Sequence, residues 1–141
     1  MSNNPPAEIE ILLIESEPAH ALAACQALNA LEFRNKLKVV DSREAALDYL
    51  LQPPAQEKSR LPDLIFLDPA ISGRKGWYLF AEIQANPDLK QIPVVILTPS
   101  REEAELMKNC GLNDYFLAKP LNSPGVSDMI NGIIQKIKEV H

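Results

Sequence analysis

A chain of 141 residues with 46% hydrophobic content is long enough to bury one good core and too short for two ordinary domains. Its 19 acidic against 14 basic residues give a formal charge of -5, which leaves no basic field for nucleic acid or anionic lipid. The start, MSNNPPAEIE, lacks the positive charge and apolar stretch of a signal peptide, and no later run approaches a membrane span, so a cytoplasmic protein is expected.

Residues 1–8 are expected as a flexible N-terminus ahead of a single domain over 9–141. A strand near 9–14 runs into Glu15-Ser16-Glu17, and a helix near 18–31 follows, with Pro18 suited to its first turn. Next come a strand near 37–41 and a helix near 43–51 with Ser42 as its N-cap. The stretch 52–62, QPPAQEKSRLP, reads as a surface loop because its prolines and mixed charges forbid a regular element. A strand near 63–67 ends at Asp68, which opens the turn-rich segment DPAISGRKGW before a helix near 76–86. The strand near 92–97 runs into Thr98. Ser100 and Glu103 then form the start signal of a helix near 101–110, which Gly111 ends. The strand near 115–118 delivers Lys119 and Pro120. In the last helix, near 124–139, Val126, Met129, Ile130, Ile133, Ile134 and Ile137 form one apolar stripe, read as core packing.

Cys25 and Cys110 lie in helical segments among apolar neighbours and are expected as small buried side chains, not a disulfide or a metal site. His20 and His141 have no second metal ligand at a useful spacing, and His20 reads as solvated or capping.

Short strand runs alternating with helical segments imply right-handed βαβ units, hence a doubly wound parallel sheet, most simply of order 2-1-3-4-5. All strand C-termini then share one edge, where Glu15, Ser16, Asp68, Thr98 and Lys119 converge. Crowded carboxylates repel unless a lysine or a hard divalent ion such as Mg²⁺ neutralises them. An Asp so placed, faced by a hydroxyl and an ammonium, can attack a phosphoryl donor and hold the acyl phosphate. A Lys–Asp pair and a strand-terminal Thr could equally be structural.

ILLIESEP, LIFLDPAISGRKGW, VVILTPS and AKP, in that order, resemble the flavodoxin-like receiver domains of two-component response regulators over nearly the whole chain. NPDLKQIPVVILTPS is most similar to stand-alone receivers such as those that partner bacterial phytochromes. The resemblance implies that Asp68 is the phosphoacceptor, Thr98 the switch hydroxyl and Lys119 the phosphate-contacting lysine. It implies Mg²⁺ at Glu15, Asp68 and the Ala70 backbone, held weakly because Ser16 stands where a second acid is usual. Tyr115 or Phe116 would be the switch aromatic. Pro99 follows Thr98 and has no N–H to offer a phosphoryl group, and Pro69 alters the loop after Asp68.

Phosphorelay signalling by a non-enzymatic, atypical receiver is the expected function. The partner implied is a sensor histidine kinase or other signalling protein, with a homodimer as a further possibility and neither nucleic acid nor membrane. Output is expected through the face of the helix near 101–110, the last strand and the last helix, as no output segment follows that helix. The alternative is a phosphorylation-independent pseudo-receiver acting as a binding module. A haloacid dehalogenase-type phosphatase is remote, since its second acid would fall at Ala70. In the resting protein Lys119 is expected to pair with Asp68 in place of the metal.

Overall fold

The structure is a computed structural model that describes residues 8–31, 33–51 and 61–140. The expected surface loop at 52–62 lies, apart from its last two residues, outside them, as do all but the last residue of the expected flexible N-terminus.

Five strands, β1 (Ile9–Ile14), β2 (Asn35–Val40), β3 (Leu64–Leu67), β4 (Val94–Thr98) and β5 (Tyr115–Ala118), form one parallel sheet of order β2-β1-β3-β4-β5. The three inner strands read as nearly unbroken apolar runs because helices cover both faces, leaving no solvent side to demand polar residues. β1, β3 and β4 are buried along their full length, whereas the edge strand β2 exposes Lys36, Lys38 and Val39. β2 begins at Asn35, two residues before the apolar signal, because its first pairs with β1 involve the polar Asn35 and Lys36.

The helices are α1 (Pro18–Asn29), α2 (Arg43–Leu50), the single turn α3 (Ile71–Arg74), α4 (Gly76–Ala85), α5 (Arg101–Asn109) and α6 (Val126–Val140). α1 and α6 cover one face with Ala24, Leu28, Ile130 and Ile134, packed on Ile11, Leu13, Phe66 and Val95. α2, α4 and α5 cover the other with Ala46, Leu79, Ile83 and Ala104, packed on Leu12, Ile65 and Ile96. Ser42 accepts a hydrogen bond from the Ala45 N–H and Ser100 one from the Glu103 N–H, which satisfies donors the helix ends leave open. Gly111, at φ 72°, follows α5 in the left-handed region that a glycine enters at little cost.

Three side chains differ from the sequence expectation. Cys110 caps the C-terminus of α5, beyond its packed turns, and is exposed, and Cys25 is only partly buried. Met129 leaves the buried stripe of α6 and is 44% exposed, because it faces the gap between α5 and α6. α3 was not expected: the turn-forming segment after Asp68 closes through an Arg74 N–H to Ala70 carbonyl bond and a Lys75 N–H to Ile71 carbonyl bond.

Candidate functional site

The order β2-β1-β3 makes β1 and β3 neighbours, so the residues that leave their C-terminal ends meet. Ile14 pairs with Leu67, and the Asp68 N–H donates to the Ile14 carbonyl at 3.0 Å, which sets Glu15 and Asp68 side by side. Both are buried although both are acids. Lys119, arriving from the end of β5, has Nζ 2.9 Å from Glu15 Oε1 and 2.8 Å from Asp68 Oδ2. Its backbone N–H donates to the Thr98 carbonyl at 2.8 Å, which ties it to the end of β4, and its bond to Pro120 is cis.

The remaining carboxylate oxygens are also met. Glu15 Oε2 accepts the Glu17 N–H at 3.1 Å, and Asp68 Oδ1 accepts the Ala70 N–H at 2.9 Å. The Lys119 ammonium also meets His20 Nδ1 at 3.0 Å. His20 is therefore part of the site, although its ring remains 44% exposed. The spacing of a lone histidine carried no signal for it, since its reach to Lys119 depends on how the first turn of α1 leans over the sheet edge.

Burial pushes the Glu15 carboxyl up, with Asp68 adding like charge, against the pull of Lys119 and the Glu17 N–H. For Asp68, burial would also raise the carboxyl, but Lys119 and the Ala70 N–H outweigh it and hold the group below the ordinary range. Burial alone would lower the Lys119 ammonium, and its bonds to Asp68 and Glu15 instead raise it. Asp68 is thus the anionic member of the pair, and Glu15 the more readily protonated one.

Thr98 is buried at the end of β4 and lines a cleft of about 110 Å³ with Asp68, Pro69, Ala70 and Pro99. Its hydroxyl donates to the Ser100 carbonyl at 2.9 Å, across the start of α5, and so does not point at Asp68 in this arrangement. Ser16 is exposed beyond Glu15, and Glu17 is exposed as the N-cap of α1. On β5, Phe116 pairs with Ile96 and packs on the same face as Ala104, whereas Tyr115 packs on the opposite face.

The donor set suits a small hard cation in kind, with the two carboxylates and the Ala70 carbonyl, but it is spare. Ala70's carbonyl already accepts the Arg74 N–H, and a cation must share both carboxylates with Lys119. Among the described residues no group of three or more His, Cys, Asp and Glu side chains is arranged to hold a metal. No described helix is long and apolar enough to cross a membrane.

The model of the response regulator receiver domain matches residues 11–131. Response regulator Rcp1 of Synechocystis sp. (strain ATCC 27184 / PCC 6803 / Kazusa) is 34% identical over 132 residues, which cover 93% of this chain and 88% of that protein. The crystal structure of the Mn²⁺-bound form of response regulator Rcp1 is similar at a TM-score of 0.69 and 32% identity, covering 89% of this chain and 91% of that one. The phosphorylated cyanobacterial phytochrome response regulator RcpA is similar at a TM-score of 0.72 and 26% identity, covering 96% of this chain and 97% of that one. A sheet that gathers Glu15, Asp68 and Lys119 at one edge, in a sequence matched along nearly its whole length, places this chain in the response regulator receiver domain family of two-component phosphorelay signalling.

Proposed function

We propose that the protein is a phosphorelay receiver in which Asp68 accepts a phosphoryl group from a sensor histidine kinase. The observation that carries this reading is a carboxylate held anionic at the sheet edge by Lys119 and the Ala70 N–H, beside an open cleft. In the transfer, a carboxylate oxygen of Asp68 forms a bond to phosphorus as the bond from phosphorus to the donor's imidazole nitrogen breaks, and the imidazole leaves with the electron pair. Lys119 would then move its contact from the carboxylate to the phosphoryl oxygens. Thr98 would turn its hydroxyl from the Ser100 carbonyl towards the phosphoryl group, a rotation about one side-chain bond. Phe116, on the same sheet face as Ile96 and beside α5, fits the role of the aromatic that follows Thr98 better than Tyr115.

Glu15, Asp68 and the Ala70 carbonyl would hold a divalent ion, with Ser16 contributing at most a neutral hydroxyl. Such an ion supplies charge neutralisation at the phosphoryl oxygens. The chain itself acts as a signalling module and not an enzyme, in the cytoplasm, as one domain over 9–141, with no nucleic acid or membrane as partner. Output would run through the face of α5, β5 and α6, where a groove of about 410 Å³ beside Lys119 is lined by Phe116 and Met129. A signalling protein or a second copy would dock there, and charge reversal at Glu102, Glu105 or Lys108 should weaken that docking.

One observation favours a second reading, a receiver that signals without phosphorylation. Lys119 already satisfies both carboxylates, and Pro99 gives the cleft no N–H. Intact mass after treatment with acetyl phosphate and Mg²⁺ separates the two. An adduct of one phosphoryl group, lost in Asp68→Asn, supports the phosphorelay reading, and an unmodified wild type supports the second.

A further inference from the structure

We propose that Arg74 is a phosphoryl-binding side chain, closing over an anion on Asp68 from the wall of the cleft they both line. The inference rests on the reading of Asp68 as acceptor. The cleft beside Asp68 is poor in hydrogen-bond donors. Pro69 and Pro99 have no N–H, the Ala70 N–H is spent on Asp68 Oδ1, and the Thr98 hydroxyl is spent on the Ser100 carbonyl. The Trp77 indole can donate but is neutral. Arg74 is the one cation among the described residues that line this cleft, and it forms no salt bridge with a described residue.

Its place is built rather than incidental. Ser72, Gly73 and Arg74 follow one another in the left-handed region, at φ 51°, 70° and 74°, a conformation that non-glycine residues enter at a cost. The turn is fastened at both ends: Ser72 Oγ accepts the Arg43 N–H of α2 at 3.2 Å, and the Arg74 N–H donates to the Ala70 carbonyl at 3.2 Å. That path returns the backbone to the rim of the cleft at residue 74. Glu103 also lines the cleft and repels any anion added to Asp68. A guanidinium there offsets that repulsion and presents a planar fork of N–H groups matched to phosphoryl oxygens, where a lysine offers only a point charge.

The test is binding of beryllium fluoride, a phosphoryl mimic that seats on an aspartate, followed by ¹⁹F NMR with Mg²⁺ in excess. Arg74→Ala should weaken binding about tenfold or more, as expected for losing a hydrogen bond to a charged group. Arg74→Lys should recover part of the loss. Both variants should melt at the wild-type temperature, because Arg74 is exposed and has no ion pair with a described residue. An Ala variant that binds as tightly as wild type, a Lys variant no better than Ala, or an affinity loss that tracks a fall in melting temperature overturns the proposal while leaving Asp68 in place. If wild type binds no more than Asp68→Asn, the acceptor reading fails and this inference falls with it.

Discussion

Replacing Lys119 with methionine would strand two carboxylates that share one buried edge. The Glu15 and Asp68 side chains are 1% and 9% exposed, and each lies within 2.9 Å of the ammonium that compensates them. At an effective dielectric near 20, a contact at that distance is worth about 6 kcal/mol of Coulomb energy, before the cost of desolvation is subtracted. The loss cannot grow that large, because a proton can replace the lysine. Glu15, already pushed up by burial, is the group that takes it. Holding neutral a carboxyl whose ordinary value is 4.5 costs about 1.36 kcal/mol per pH unit above that value. The ceiling is therefore about 3.4 kcal/mol at pH 7 and about 0.7 kcal/mol at pH 5. In wild type the two acids run in opposite directions, the raised Glu15 losing its contribution as pH rises. Asp68 is held below its ordinary value, so its contribution is present above that value and is lost only as pH falls through its lowered one. Urea denaturation at the two pH values should show Lys119→Met destabilised by about 3 kcal/mol at pH 7 and by about 1 kcal/mol at pH 5. Equal losses at both pH values, or none at pH 7, would refute the account of the lysine as counter-charge.

Ser16→Asp adds a carboxylate beside Glu15 and should raise Mg²⁺ affinity tenfold or more, read by calorimetric titration, and an unchanged affinity would show that the neutral hydroxyl is not what weakens the site. Pro99→Ala restores a backbone N–H at the cleft and should speed acyl phosphate formation on Asp68 several-fold, followed by intact mass against time. Gly76→Ala should cost about 2 kcal/mol or more in urea denaturation, because a Cβ there would lie 2.8 Å from the carbonyl carbon and oxygen of Pro69 and closer still to its Cα. Arg43→Ala, which removes the paired hydrogen bonds to Glu82 at 2.8 and 2.7 Å, should shift the urea midpoint little, since both side chains are partly solvated. A large shift would mean that the link between α2 and α4 also holds the Ser72 turn.

What was legible in the chain follows from which forces act along it and which act across it. Strand identity and sheet order were readable because Leu64 to Leu67 and Val94 to Leu97 must be covered on both faces, and right-handed crossovers leave few ways to do so. The Lys119–Asp68 pair was readable for a similar reason: once Ser16 replaces an acid, a lysine at the same edge is the nearest counter-charge. His20 was not readable. Its contact with Lys119 depends on how the first turn of α1 leans over the sheet, and nothing in the spacing of a lone histidine encodes that angle. The Thr98 hydroxyl shows the same limit in the rotamer, since residue type places it at the strand end but the nearby Ser100 carbonyl decides where its proton goes.

Arg74 is a stronger case of the same division. In sequence it is one cation in a turn-rich segment, adjacent to Lys75 and indistinguishable from it in charge. The left-handed path through Ser72 and Gly73 separates the two, placing Arg74 on the cleft and leaving Lys75 off its lining. That path depends on long-range partners: Gly76, whose bare Cα admits the Pro69 backbone and whose N–H donates to the Pro69 carbonyl at 3.1 Å, and Ser72, which accepts the Arg43 N–H from a helix 29 residues earlier. The two prolines that deprive the cleft of backbone donors are thus found beside a turn that returns a cation to the same cleft. A loss read locally, residue by residue, is offset by a placement that only the folded chain determines.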